Sequence, residues 1–438
     1  MTRFLNLPLM KSIHPWLERW RPVDALLPIS IGLHVYKSSR EVGVGLLVIW
    51  LAWRLLGGML NGIDNQHRPT GFQVHLGLFL SLLLVNARQI ALRDDVQGPS
   101  QFLLIALGFV IGGLLGARAW RVTLGWLAVA TLPLLYLFLA EAHASSMPLT
   151  LAQLEIIYNT TMRGHGGISR FATLVLMLTT CAWYFTLFAQ TQLTRALGIL
   201  SLISGYVLCL GSGSRTAIYG APLAAFLAWV VIRLQGRRNQ MLTRFLLGAG
   251  GLFVVLLLWW FVLSPEAARN RVSDLYRMEA ARCWLSIMFS GKERFLFGIG
   301  YGSEIPNRIC YHIPDFRGQY GTIGHAHNTF SHIAGQHGLL GLIALLILIV
   351  LILQGLRGQL ATLRPWLPRP PGLAATTWAE AALGLNLALA LNFVATTIHI
   401  SNQINQVLIG LLAASAINAW PPGSEGRTAG LPTGSSSR

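Results

Sequence analysis

Residues 324–356 read GHAHNTFSHIAGQHGLLGLIALLILIVLILQGL, a His-rich turn that runs directly into an apolar segment. The stretch begins polar and ends in lipid. Between residues 339 and 353 only Gly341 interrupts the aliphatic run. Inside hydrocarbon such a segment must be a helix, because a helix satisfies its own backbone N–H and C=O groups without water.

The rest of the chain agrees with that reading. Of 438 residues 53% are hydrophobic and 11% charged, and the mean hydropathy is +0.55, which leaves too little polar surface for a soluble protein of this size. The expected fold is all-α, a polytopic transmembrane helical bundle of about twelve spans, since apolar runs of roughly 20 residues recur along nearly the whole chain. The expected spans are 23–36, 42–60, 72–85, 102–115, 124–140, 171–189, 196–210, 217–232, 245–263, 329–356, 378–394 and 404–419. No cleavable signal peptide is expected. Residues 1–21 interleave Trp16 and Trp20 with Arg3, Lys11 and Arg19 and read as a cytoplasmic interfacial segment. Spans one to nine fill 22–263, a large polar loop occupies 264–327, spans ten to twelve fill 328–420, and the Gly/Ser/Pro-rich tail 421–438 is expected to be disordered on the cytoplasmic side.

The formal charge of +17 suits work among phosphates, pyrophosphates and anionic lipid headgroups, with topogenic arginines accounting for most of it. Membrane lipids are the expected surroundings, and no nucleic-acid partner is expected. The short basic loops 118–121, 233–244 and 357–369 fall on one side by the span count, which the positive-inside rule makes cytoplasmic. Residues 37–40 and 88–93 fall on the other side and mark an early span as open to recounting. On this orientation 141–170 and 264–324 face the side opposite the cytoplasm.

His327 and Asn328, followed by Gly338 and Gly341, form a His-Asn then Gly-x-x-Gly pattern. It resembles the signature of bacterial O-antigen ligases, members of the O-antigen ligase and polymerase family, and is similar to one in protein O-oligosaccharyltransferases. A second segment, LGSGSRTAIYG around Arg215, resembles the family's Ser-Arg-Thr-Ala segment. In the polar loop an Arg-bearing amphipathic helix, SDLYRMEAARCWLSIMFS, leads to Trp284 and then to Gly298 and Gly300, an order similar to the family's loop. The family arginine stands a turn before the tryptophan, where this chain has Ala280, so Arg277 and Arg282 are both candidates.

The resemblance implies a multi-pass glycosyltransferase of the bacterial inner membrane that moves O-antigen glycan from undecaprenyl pyrophosphate to the lipid A core at the periplasmic face, without metal or nucleotide. His327 is the implied general base, since an unperturbed imidazole titrates near pH 6.5. Arg215, with Arg277 or Arg282 and with Arg163 as a weaker candidate, would hold the pyrophosphate through the planar guanidinium fork. Without the resemblance, Arg215 reads as a helix-end arginine reaching for headgroups. His325 and Asn328 are supporting candidates, the latter either orienting the histidine or capping the next helix. His312, His325 and His327 lack the carboxylates or HExxH pattern of a metal site, so no metal or other cofactor is expected.

A polymerase or a protein-directed transferase would share fold and donor. A lipid-linked glycan transporter, which would also need a basic cavity, is the alternative of another class. Cys283 and Cys310 share the polar loop and are expected to form a disulfide in an oxidising compartment, with two separate buried thiols as the open alternative.

Overall fold

The computed structural model describes residues 22–35, 39–62, 97–115, 117–144, 168–189, 191–212, 214–236, 265–300, 305–313, 325–362, 373–395 and 403–417. The expected spans 72–85 and 245–263, the segments 1–21 and 421–438, and Arg163 lie outside these residues. The described part is helical, with no strand among the described residues. In chain order the helices are α1 (Leu26–Val35), α2 (Arg40–Gly62), α3 (Gln97–Leu114), α4 (Ala117–Val129), α5 (Thr131–Ala144), α6 (Ile168–Phe188), α7 (Gln192–Gly211), α8 (Arg215–Gly236), α9 (Pro265–Met288), α10 (Lys292–Phe297), α11 (Ile305–Ile309), α12 (Thr329–Thr362), α13 (Leu373–Ala395) and α14 (Gln403–Ala413).

Six stretches among the described residues are long and apolar enough to cross a membrane: Ala119–Ala140, Phe171–Phe188, Gln192–Gly211, Arg215–Ile232, Thr329–Ala361 and Thr377–Val394. Three further expected spans fall on shorter apolar helices, Val23–His34, Leu103–Leu114 and Gln403–Ile417. Helix α6 is the centre of the bundle. It is apolar all round, buries Leu174, Val175, Leu176, Met177, Leu178, Cys181 and Tyr184, and packs against α4, α7, α8 and α13, as an all-apolar helix must when protein surrounds it.

Side-chain contacts assign the helix ends to two faces. Leu176 of α6 packs against Gly220 of α8, Thr173 Oγ1 meets Asn392 of α13 at 3.5 Å, and Asn328 Nδ2 donates to Val394 O at 3.0 Å. The starts of α6, α8 and α12 and the end of α13 therefore share one face, and Arg215 and His327 are both on it. At the opposite face Arg121 lies 5.6 Å over the Phe188 ring, and Trp378 meets Trp120 and Phe188 at centroid distances of 5.9 and 6.1 Å. Ala228 of α8 joins Leu356 of α12 and Ala382 of α13 toward this end, so Arg121 and the described ends of α8 and α12 gather away from His327.

The described residues of the polar loop form a helical cap. Helices α9 and α10 pack on the start of α12. The buried face of α9 is Tyr276, Ala280, Cys283, Trp284 and Ile287, joined by Ile299, Cys310, Ile313 and Ala326 in a small core separate from that of the bundle. This i, i+4, i+7, i+8, i+11 spacing is one helical face.

Helix α12 serves both parts. Its 34 residues make about 50 Å of helix, well beyond the roughly 30 Å of a hydrocarbon core. A break at Gly338 (φ 63°, ψ −156°) divides it. Before the break His332, Gln336 and His337 are buried, whereas after it Ile343, Leu346, Ile347, Val350 and Leu353 are partly exposed in the manner of a lipid-facing stripe. The aliphatic run of this span begins at 339, within the apolar stretch Thr329–Ala361.

Candidate active site

His327 sits in the turn that feeds α12 and has φ 53°, the only positive φ at a non-glycine position among the described residues. A β-carbon in this left-handed region costs about 1 kcal/mol or more, and such conformations persist only where surrounding contacts fix them. Asn328 supplies one of those contacts. Its Oδ1 accepts the Ser331 N–H at 3.1 Å, the N-cap arrangement, while its amide holds the end of α13. Of the two sequence readings for Asn328, the hydrogen bonds are those of a cap.

Three neighbours surround the His327 ring. His325 lies 4.0 Å away between centroids, Tyr276 meets it edge-on at 5.4 Å, and the Arg277 charge acts on it. Burial first, then His325 and Arg277, lower the His327 pKa to about 3, because each disfavours the imidazolium. The expectation of a base titrating near 6.5 is corrected accordingly. In the free protein these surroundings favour the neutral imidazole across the physiological range.

Arg277 and Arg282 are both exposed, yet they point differently. They are five positions apart, about 140° around a helix. Arg277 borders the buried face of Tyr276 and Ala280, next to His327, and Arg282 is on the far side. Tyr276 was not singled out from the sequence, although its place beside Arg277 on the apolar face was the available signal.

The glycines fix the cap to α12. Gly338 and Gly298 (φ 67°, ψ −163°) both occupy a region open essentially to glycine alone. They lie back to back: a β-carbon on Gly338 would stand 2.6 Å from Gly298 N and 2.6 Å from Leu296 C. The break frees carbonyls that an intact helix would have bonded internally, and the cap answers them, with Ile299 N–H donating to Gly335 O at 3.0 Å and Gly300 N–H to Gln336 O at 2.9 Å. Residues 298–300 are thus the docking strap of the cap. Gly341 has a different task, since a β-carbon there would collide with His337 Cβ and stand 3.1 Å from Ile333 Cγ2 across the break.

Cys283 and Cys310 form a disulfide with a Cα–Cα distance of 6.0 Å and a sequence separation of 27. It joins α9 to the residue after α11 within the small core. Closing a loop of that length is worth about 3.5 kcal/mol in the chain-entropy account. The Cys283→Ser/Cys310→Ser protein is expected to show faster amide exchange across α11 while the six long apolar helices keep their protection. Unchanged exchange at α11 would mean that the cap is held without the bond.

Arg215 begins α8 and is half-buried, on the same face of the bundle as His327 but on a different helix. In the described contacts α8 packs chiefly on α6 and α13, which leaves Arg215 on the bundle, whereas Arg277 lies in the cap and its charge acts on His327. A family model described as O-antigen ligase matches residues 199–346, from within α7 to the first half of α12. The matched segment includes Arg215, Arg277, Arg282, His327, Gly338 and Gly341. None of the curated proteins matches the chain.

Proposed function

We propose, from the match of residues 199–346 to a family model described as O-antigen ligase, that the protein is a membrane glycosyltransferase that passes O-antigen glycan from undecaprenyl pyrophosphate to a sugar of the lipid A core. The observation that carries this reading is His327, held left-handed beside Arg277 under the cap. In the proposed step the His327 imidazole takes the proton of an acceptor hydroxyl. The acceptor oxygen attacks the anomeric carbon as the bond from that carbon to the phosphate oxygen breaks, with inversion. Undecaprenyl pyrophosphate leaves with the bonding pair, and the proton passes from His327 to water.

Arg277 and Arg215 are assigned to the pyrophosphate, one from the cap and one from the bundle, where two-pronged donation stabilises both the bound donor and the leaving charge. Charge bookkeeping couples the two roles. Arg277 lowers the basicity of His327 in the free protein, and a pyrophosphate against Arg277 would offset that charge. His327 then becomes a better base when the donor is in place.

The site is proposed to face the periplasm. Two observations support that side: the basic helix ends gather at the other face, as the positive-inside rule asks of a cytoplasmic face, and the cap contains a disulfide, which persists in oxidising compartments.

The test is transfer by purified protein given lipid-linked glycan and core lipid alone. Glycan on the core lipid is the expected product. A lengthened lipid-linked glycan would make the protein a polymerase, and movement of intact donor between leaflets without transfer would make it a transporter. Within this assay Arg277→Ala is expected to weaken donor binding and transfer about 10-fold or more, the scale of one charge-assisted hydrogen bond, and Arg277→Lys to recover part of the loss. Arg282→Ala, on the far side of α9, is expected to stay within about 2-fold of the parent, as exposed charges away from a site generally do. A larger loss in Arg282→Ala than in Arg277→Ala would reverse the assignment.

A further inference from the structure

Beneath His327 is a second histidine to which neither the family pattern nor the proposed step assigns a part. His332 is buried one turn into α12. Its ring stacks on Trp284 of the cap with centroids 4.1 Å apart and planes 30° from parallel. Its Nδ1 accepts the backbone N–H of Ala326 at 3.3 Å, so the proton of the neutral ring resides on Nε2. Its own backbone N–H donates to Asn328 O at 3.1 Å.

His332 therefore holds both neighbours of His327, residue 326 through its ring and residue 328 through its backbone. The left-handed residue lies between two tethered ones. Ala326 is itself fully buried against Tyr276, Trp284 and Cys310 in the cap core, so the ring links the cap, the turn and the first turn of α12. Trp284 sets the plane of that ring by stacking, and the close approach of α9 depends on Gly335, where a β-carbon would stand 2.7 Å from Trp284 O.

We propose that His332 is a positioning residue for His327: the acceptor Nδ1 tethers Ala326 and so keeps the left-handed turn that aims the His327 imidazole. The proposal rests on the reading of His327 as the base, and it makes a claim about the turn that can be read without any turnover. Two substitutions separate the ring's duties. His332→Phe keeps an aromatic face for Trp284 and removes the acceptor. His332→Asn gives up the stack and keeps an acceptor, because Asn Oδ1 occupies about the place of His Nδ1.

The experiment uses the full chain in lipid nanodiscs, with amide hydrogen exchange over the turn and single-turnover transfer measured on the same preparations. In His332→Phe the Ala326 amide is expected to lose protection and transfer to fall about 10- to 100-fold, the usual effect of a misplaced catalytic group, with donor affinity unchanged. His332→Asn should restore Ala326 protection and most of the transfer. In a His327→Ala background His332→Phe should cost nothing further, since it acts through the missing ring. Protection of Ala326 that survives His332→Phe, or a His332→Asn protein that is folded yet as slow as His332→Phe, overturns the proposal. If instead Ala326 protection responds as expected while His327→Ala transfers normally, the clamp is upheld and the reading of His327 as the base fails.

Discussion

His327→Ala is expected to lose roughly 100-fold or more in single-turnover transfer, the range for removing a positioned base, while binding the lipid-linked donor as the parent does. The two effects separate because the imidazole contributes to the transition state, whereas the pyrophosphate is assigned to the arginines. The pH dependence gives an independent check, and its sign follows from the lowered pKa. Neutral imidazole is the active form, so activity is present above the pKa and lost below it. With a free-protein pKa of about 3, kcat/KM should show no acid limb from His327 between about pH 5 and 8, because that parameter reports the free enzyme. A limb in kcat at higher pH than in kcat/KM is expected if bound pyrophosphate offsets Arg277. Two results would remove His327 from the mechanism or its surroundings from the account: near-normal transfer by His327→Ala, or a kcat/KM limb near 6.5 that His327→Ala abolishes.

That shift marks the boundary of what the sequence conveys. The helices were legible because lipid-length apolar runs leave a chain little choice: the expected span 171–189 falls on Ile168–Phe188, and 217–232 lies within Arg215–Gly236. The helix in the polar loop was legible from the spacing of Tyr276, Ala280, Trp284 and Ile287. The same spacing also puts Arg277 beside the buried face and Arg282 across from it. The lowered basicity of His327 was not legible, because its largest cause is burial in the folded protein, and a smaller one, Arg277, lies fifty positions earlier in the chain. Nor does local sequence say where α12 breaks. Gly335, Gly338 and Gly341 are equally good glycines, and what selects Gly338 is the arrival of Gly298 from another element.

The largest structural effect is therefore expected at that contact. In Gly338→Ala the new β-carbon faces the backbone of Leu296 and Gly298 at 2.6 Å, and backbone on a docked strap cannot turn aside as a flexible side chain would. Alanine also resists the φ 63°, ψ −156° conformation, which costs about 1–3 kcal/mol outside glycine, and overpacking adds a similar amount. The variant can relieve both by continuing α12 as a regular helix, but this returns the Gly335 and Gln336 carbonyls to internal bonds and displaces the Ile299 and Gly300 amides. The cap then undocks from α12, and Arg277 and Tyr276 leave His327. The expected result is transfer reduced about 100-fold or more, with lost exchange protection at Ile299 and Gly300 and with α6 and α13 still protected. Gly291→Ala is the matched control in the same cap: Gly291 has an extended backbone (φ 172°) and nothing within 4 Å of an added β-carbon, so it should transfer and exchange as the parent does. A Gly338→Ala protein that keeps Ile299 and Gly300 protected and transfers normally would show that the cap does not depend on the break in α12.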